Sequence, residues 1–275
     1  MKYVISGDRA YVSINGATTF VQKDCDPNFH EIVAAIRNED VEEVKRLILV
    51  GETKLGKLAV SRGKVKFDTK TLHPAFAKAY LYAAKAGKDA IELFFKNVAQ
   101  NPNPESQADL ANFLLRNALP ITDRGTFLAY RYVDGNFFDC HTGTMDNMIG
   151  NSVEMSREEC DSDREKTCSR GLHVCHYSYL ANNGTTHLVV EINPRDVVAV
   201  PTDYNGAKMR VCRFRVLSTV EHFASKLKVD CDPLQTVPFV QMADFDTPEV
   251  ADDIPADLKH RYKPVDGKDW AATKA

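Results

Sequence analysis

His187 to Leu217 reads HLVVEINPRDVVAVPTDYNGAKMRVCRFRVL, and this stretch decides the fold. It holds three β-type runs: His187–Ile192, Asp196–Val200 and Met209–Leu217. Asn193-Pro194 separates the first two. The polar loop Pro201–Arg210, with Gly206 inside it, precedes the third. Short runs of Val, Ile and Leu bounded by turn-forming residues predict strands. Working backwards, Leu172–Val174 is a further short strand, residues 156–167 form a charged loop, and Phe137–Cys140 and Thr126–Val133 (TFLAYRYV) are two more strands. Residues 120–222 are therefore expected to form a β-rich mixed domain.

Upstream the hydrophobic period changes from two to between three and four. PAFAKAYLYAAKAG (74–87), KDAIELFFKNVAQN (88–101) and PESQADLANFLLRNAL (104–119) each carry a helical stripe and end at Gly or Pro signals. Their short connections predict an antiparallel helical bundle. Before them, Asp26-Pro27 marks a helix start, with Phe29, Ile32, Val33 and Ile36 on one face. Asp40-Val41-Glu42-Glu43 resembles a capping box that opens a second helix, which Gly51 would end. Residues 2–21 alternate as β-runs, and Asn15-Gly16 signals a tight hairpin. KVKFDTKTL, from Lys64, alternates as a short strand pair.

Beyond residue 222 the composition turns acidic. Asp230, Asp232, Asp244, Asp246, Glu249, Asp252, Asp253 and Asp257 occur with no Lys or Arg among them, which predicts a tail with Trp270 as a docking anchor. The expected class is α+β. Residues 1–119 form an N-terminal hairpin and helical domain, 120–222 the β-rich domain, and 223–275 an acidic C-terminal tail.

The chain has 275 residues, 35 Lys plus Arg against 38 Asp plus Glu, and a net charge of -3. That balance leaves no basic footprint for nucleic acid, and no nucleic-acid partner is expected. No apolar run reaches the roughly 18–20 residues of a membrane span, and the N-terminus lacks the apolar stretch of a signal peptide. Seven cysteines in such a chain are expected as reduced thiols.

The unusual density is of Cys and His in the β-rich half. Cys140, His141, Cys168, His173 and Cys175 are the ligand types of tetrahedral zinc, but no CxxC pair occurs among them. Buried apolar cysteine is the favoured reading, and no metal or other cofactor is expected. A second arrangement is a nucleotide-binding or catalytic pocket around Arg170 and His173. There Gly171 would permit close backbone approach, Arg170 would bind an anion, and His173 would act as acid or base. Asp139, His141 and Tyr130 would line it. Asp203, Asn205, Lys208 and Arg210 could hold a phosphate or a partner, although Asp and Asn are ordinary turn formers. Arg213 and Arg215 would share one solvated strand face. No P-loop, GxGxxG, HExxH or GxSxG motif occurs, so a non-enzymatic interaction protein is favoured over the pocket reading.

Three segments carry a resemblance: AYRYV with NFFDCH and MDN (129–147), TCSRGLHVC (167–175), and NPRDVVAVPTDYNGAKMRVC (193–212). They resemble the rIIB-like family of tailed phages, densely over 127–216 and more loosely back to Asn28. His176 and His187 fall outside the family pattern and inherit no role. The namesake's helix-turn-helix extension has no counterpart here, so DNA binding is not expected. The resemblance implies a phage early accessory protein of the host cytoplasm. It would modulate lysis timing or counter host or prophage exclusion by protein–protein interaction. The implied partner is an rIIA-like phage protein or a host defence protein, with peripheral association at the inner face of the host membrane. Assembly as a homo-oligomer is also expected.

Overall fold

In the computed structural model three sheets and several helices are described over residues 1–23, 28–50, 53–61, 64–73, 76, 87–180, 184–229, 232–237, 239–245 and 254–262. The N-terminal sheet is an antiparallel meander of β1 (Lys2–Ser6), β2 (Arg9–Ile14) and β3 (Ala17–Gln22). Ile14 pairs with Ala17, and Asn15 and Gly16 between them have φ of 50° and 82°. Two successive positive φ values are what a tight hairpin needs, and Asn-Gly supplies them at little strain. Helices α1 (Phe29–Arg37) and α2 (Val41–Val50) follow. Asp40 accepts the backbone N–H of Glu43, as the capping pattern requires. Helix α1 begins at Phe29 behind Asn28, and the expected start at Asp26-Pro27 lies outside the described residues, as does Gly51. The α1 stripe packs with Ala10, Val12, Val21, Val44 and Leu47 into a core of its own.

A second meander joins β4 (Thr53–Leu55), β5 (Leu58–Ser61), β6 (Lys64–Phe67) and β7 (Lys70–Thr71). Helices α3 (Lys88–Ala99) and α4 (Pro104–Asn117) then form where the periodicity predicts. Asn103 caps α4 by accepting from Glu105 N, with Pro104 at the first helical position. Among the described residues, each of these two helices packs on strands. Helix α3 packs against β5, β6 and the next sheet, and α4 against the strand Val197–Ala199, because their buried faces complete the same core as the strands. The helix expected over 74–87 lies almost wholly outside the described residues.

The main sheet runs β10-β15-β12-β9-β11-β14-β13 with antiparallel neighbours. Its strands are β8 (Ile121–Thr122), β9 (Phe127–Val133), β10 (Ser152–Glu154), β11 (Leu172–Cys175), β12 (Thr186–Ile192), β13 (Val197–Ala199), β14 (Lys208–Val211) and β15 (Arg213–Thr219). Strand β8 pairs with β9 off this path. In β12, Leu188, Val189 and Val190 are all buried, so both faces are covered and the run reads as continuously apolar. Between β11 and β12 lies the one-turn helix α5 (Tyr177–Leu180), and α6 (Val220–Leu227) packs on β12 and β15.

Two strand expectations are corrected. Met209–Leu217 breaks at Cys212, whose N–H leaves the ladder to donate to Asp196 O, so β14 and β15 pair with different neighbours. Phe137–Cys140 is a loop, with one isolated bridge between Phe138 and Asp146 and Phe137 at φ 67°. The segment after residue 222 also contributes to the core. Leu234, Val240, Met242 and Ile254 are buried, and β16 (Phe239–Val240) pairs in parallel with β8. Trp270 lies outside the described residues.

Candidate functional site

His173 on β11 sits directly opposite Arg210 on β14, and Cys175 opposite Lys208. Directly opposed residues of an antiparallel pair share a sheet face. His173, Cys175, Lys208 and Arg210 are thus brought together, in surroundings that are cationic and mostly buried. Arg210 is fully buried and Lys208 and Arg131 nearly so. Their charges bond to backbone carbonyls. Arg210 Nη1 donates to Lys166 O at 2.8 Å and Nη2 to Asp163 O, Lys208 Nζ donates to Thr167 O at 3.3 Å, and Arg131 Nη1 to His173 O at 2.6 Å. These donors tie the charged loop 161–170 and the edge of β11 to the sheet. Arg131 also donates through Nε to Asn147 Oδ1 and lies over the Phe214 ring.

This environment decides the chemistry of His173. Burial, then the charges of Lys208, Arg131 and Arg210, push its pKa down to about 3. Its Nε2 is buried without a hydrogen-bond partner among the described residues. The imidazole is therefore neutral near pH 7 and does not exchange a proton there. Arg170 does not join it. Its side chain is exposed and pairs with Glu159 at 3.3 Å. Gly171, at φ 146°, lets β11 pass close to Arg210, whose Cδ would lie 3.3 Å from an added Cβ.

Asp139 organises the loop that follows β9. Its carboxylate accepts from the backbone N–H groups of Thr142, Thr144 and Met145 and from the Thr142 hydroxyl. Burial alone would raise its pKa, but these donors outweigh burial and bring it down to about 2. Cys140 and His141 project from that loop as exposed residues, and Cys168 is exposed on loop 161–170. Burial pushes the Cys175 thiol up to about 12, which makes it an inert core group. Among the described residues no three His, Cys, Asp or Glu side chains are placed to share a metal ion, so the five-residue zinc set does not assemble.

Tyr130 on β9 is the register partner of Cys175. Its buried hydroxyl donates to Asp232 and accepts Leu234 N at 2.9 Å, so it fastens the C-terminal segment. Burial, and then Asp232, raise its pKa. Asp203 and Asn205 belong to the turn before β14. The Asp203 carboxylate is buried without a partner among the described residues, and Asn205, at φ 54°, offers its carbonyl to Arg116. Arg215 does not face solvent. It pairs with Glu191 at 2.6 Å inside the core, and Thr126 donates to the same carboxylate.

Sequence reasoning missed Asp109, Asn112, Arg116 and Arg164, which line a cavity of about 610 Å³ between α4, the 200–206 turn and loop 161–170. The signal for it was a polar set at i, i+3 and i+7 on a helix otherwise read as apolar.

These features define a class: an α+β protein whose buried polar residues act as internal ties, built on a nine-stranded, largely antiparallel sheet. A family model described as Bacteriophage T4 protein rIIB matches residues 26–229, and the chain belongs to that family. Protein rIIB of Enterobacteria phage T4 is 34% identical over 219 residues, which cover 76% of this chain and 70% of that relative. No solved structure matches the chain. It is therefore a bacteriophage accessory protein.

Proposed function

We propose that the protein works by binding other proteins during infection, tuning the time of host lysis or blocking host- or prophage-encoded exclusion, without chemistry of its own. One observation carries this reading. The polar residues within the family resemblance, Tyr130, Asp139, Lys208 and Arg210, are spent on holding loops and the C-terminal segment in place. Groups so occupied are positioned as scaffold and not as a reaction centre. Function then falls to the outer surface. The partner is an rIIA-like phage protein or a host defence protein met in the host cytoplasm, at the inner face of the membrane, and this chain assembles as a homo-oligomer. Among the described residues no helix is long and apolar enough to cross a membrane, so membrane association in this proposal is peripheral and runs through the partner.

The test is genetic and biochemical. A phage deleted for this gene should lyse its host earlier than the parent, or fail to plate on a host carrying an excluding prophage. The tagged chain should recover the rIIA-like product from infected cells. Unchanged lysis timing and plating would refute the proposal.

A further inference from the structure

The cavity on α4 gathers polar groups that are not part of the buried cationic cluster. Asp109, Asn112, Phe113 and Arg116 stand at i, i+3, i+4 and i+7, so one face of α4 forms its wall. At the inner end Asp109 is buried and its charge is already answered: Oδ1 pairs with Arg164 Nη1 at 2.7 Å and Oδ2 accepts Val200 N at 3.2 Å. At the outer end Arg116 has no carboxylate partner among the described residues. Its one bond is from Nη1 to Asn205 O at 2.6 Å. The guanidinium lies against Gly206, where a Cβ would come within 2.9 Å of Nη1 and φ is 65°, so glycine there makes the room. One helical turn away, the exposed Asn112 amide makes no hydrogen bond to the described residues. The remaining wall is mixed: Leu115, Val200 and Pro201 give an apolar strip beside Thr202 and the paired Arg164.

We propose that this cavity binds a carboxylate-headed ligand with an apolar body. The carboxylate lies between the Arg116 guanidinium and the Asn112 amide, and the body rests on Leu115, Val200 and Pro201. A planar guanidinium with open donors suits a carboxylate's paired oxygens. The volume falls in the range of small-ligand sites. Charge selects the head group. One unpaired cation balances a monoanion, whereas a phosphate dianion would face Asp109 and the negative end of the α4 dipole. The same chemistry comes from a free carboxylic acid or from the C-terminus of a peptide.

Calorimetric titration of the full chain distinguishes the two sources with N-acetylleucine and an N-acetylated hexapeptide ending in leucine, each as free acid and as amide. Inorganic phosphate is the control. The acids should bind and the amides should bind at least about tenfold more weakly, the loss expected for a charge-assisted hydrogen bond. A peptide acid binding about tenfold tighter than N-acetylleucine identifies a chain terminus as the ligand, and equal binding identifies the free acid. Arg116→Gln should weaken binding about tenfold, with Arg116→Lys between it and the parent. Asn112→Asp, which leaves the Asn205 contact intact, should weaken binding by repulsion. No acid bound by about 10 mM, weaker than any ordinary specific site, overturns the proposal. So do amides or phosphate binding as well as the acids, or Arg116→Gln and Asn112→Asp both binding as the parent does.

Discussion

His173 shows how far a side chain's neighbours can move it from its usual chemistry. An imidazole in an unfolded chain takes up a proton as pH falls through about 6.5, while the folded one stays neutral down to about 3. The unfolded state therefore binds more protons across that window. The stability His173 contributes is complete above 6.5 and is lost as pH falls. The upper limit is about 1.4 kcal/mol per pH unit, reduced where solvent reaches the ring. Urea unfolding of the parent should accordingly lose stability between pH 7 and pH 5, and His173→Gln should show a smaller loss over the same interval. Equal slopes for the two proteins would show that the ring is not held neutral. Asp139 follows the same linkage at a lower pH. Its folded pKa of about 2 lies below the ordinary 3.8, so its contribution is present above 3.8 and disappears as pH falls towards 2. Asp139→Ala removes an acceptor shared by three backbone N–H groups. It should cost about 2–3 kcal/mol at pH 7, read as a lower urea midpoint at unchanged slope.

Elements with a strong period were legible in the chain, and elements defined by what they touch were not. Helices α3 and α4 follow from apolar spacing and the Asn-Pro cap alone. Residues 137–140 read as a strand because Phe137 and Phe138 are apolar. The loop there is made by the Asp139 carboxylate reaching ahead to residues 142–145, which no period records. The polar face inside α4 was hidden in the same way by the apolar stripe around it. The site was less legible: residue type and spacing say nothing of burial, and burial is what disarms His173 and Cys175. The C-terminal segment was misread on composition. Its acidic residues are numerous, yet the fold depends on the few apolar ones between them, irregularly spaced and matched to the sheet. Leu234 and Met242 are fully buried, Met242 N donates to Asp123, and Arg261 reaches Asp146 at 2.6 Å while lying over Phe138. Tyr130→Phe strips the hydroxyl that holds Asp232 and Leu234 N. It should cost about 1–2 kcal/mol and raise amide exchange at 232–242 more than in β12. Unchanged exchange across that segment would mean the hydroxyl does not hold it.

At the scale of the whole molecule, apolar burial among the described residues is concentrated in two large bodies, with a small third around Cys160, Val198 and Cys212. One joins Ala10, Val12 and Val21 of the first sheet to the inner faces of α1 and α2. The other runs from Leu58 through the main sheet to Ile254, and gathers α3, α4, α6 and the C-terminal segment around β9 and β12. Residues that share no core have little means of passing packing strain to one another, so substitutions in the two bodies should act independently. Ile36 is fully buried in the first. Ile36→Ala should cost that body about 2–4 kcal/mol, the usual range for opening a cavity of this size. Val190 is fully buried at the centre of the second, and Val190→Ala should lower its stability while leaving the first untouched. Hydrogen exchange resolved by segment reads both. In Ile36→Ala, protection should fall across residues 10–14 and 29–37 and hold in β9, β12 and β15, and in Val190→Ala the pattern should reverse. A uniform loss of protection from either substitution would mean that the two bodies unfold as one, with the family-matched region from residue 26 drawing its stability from both.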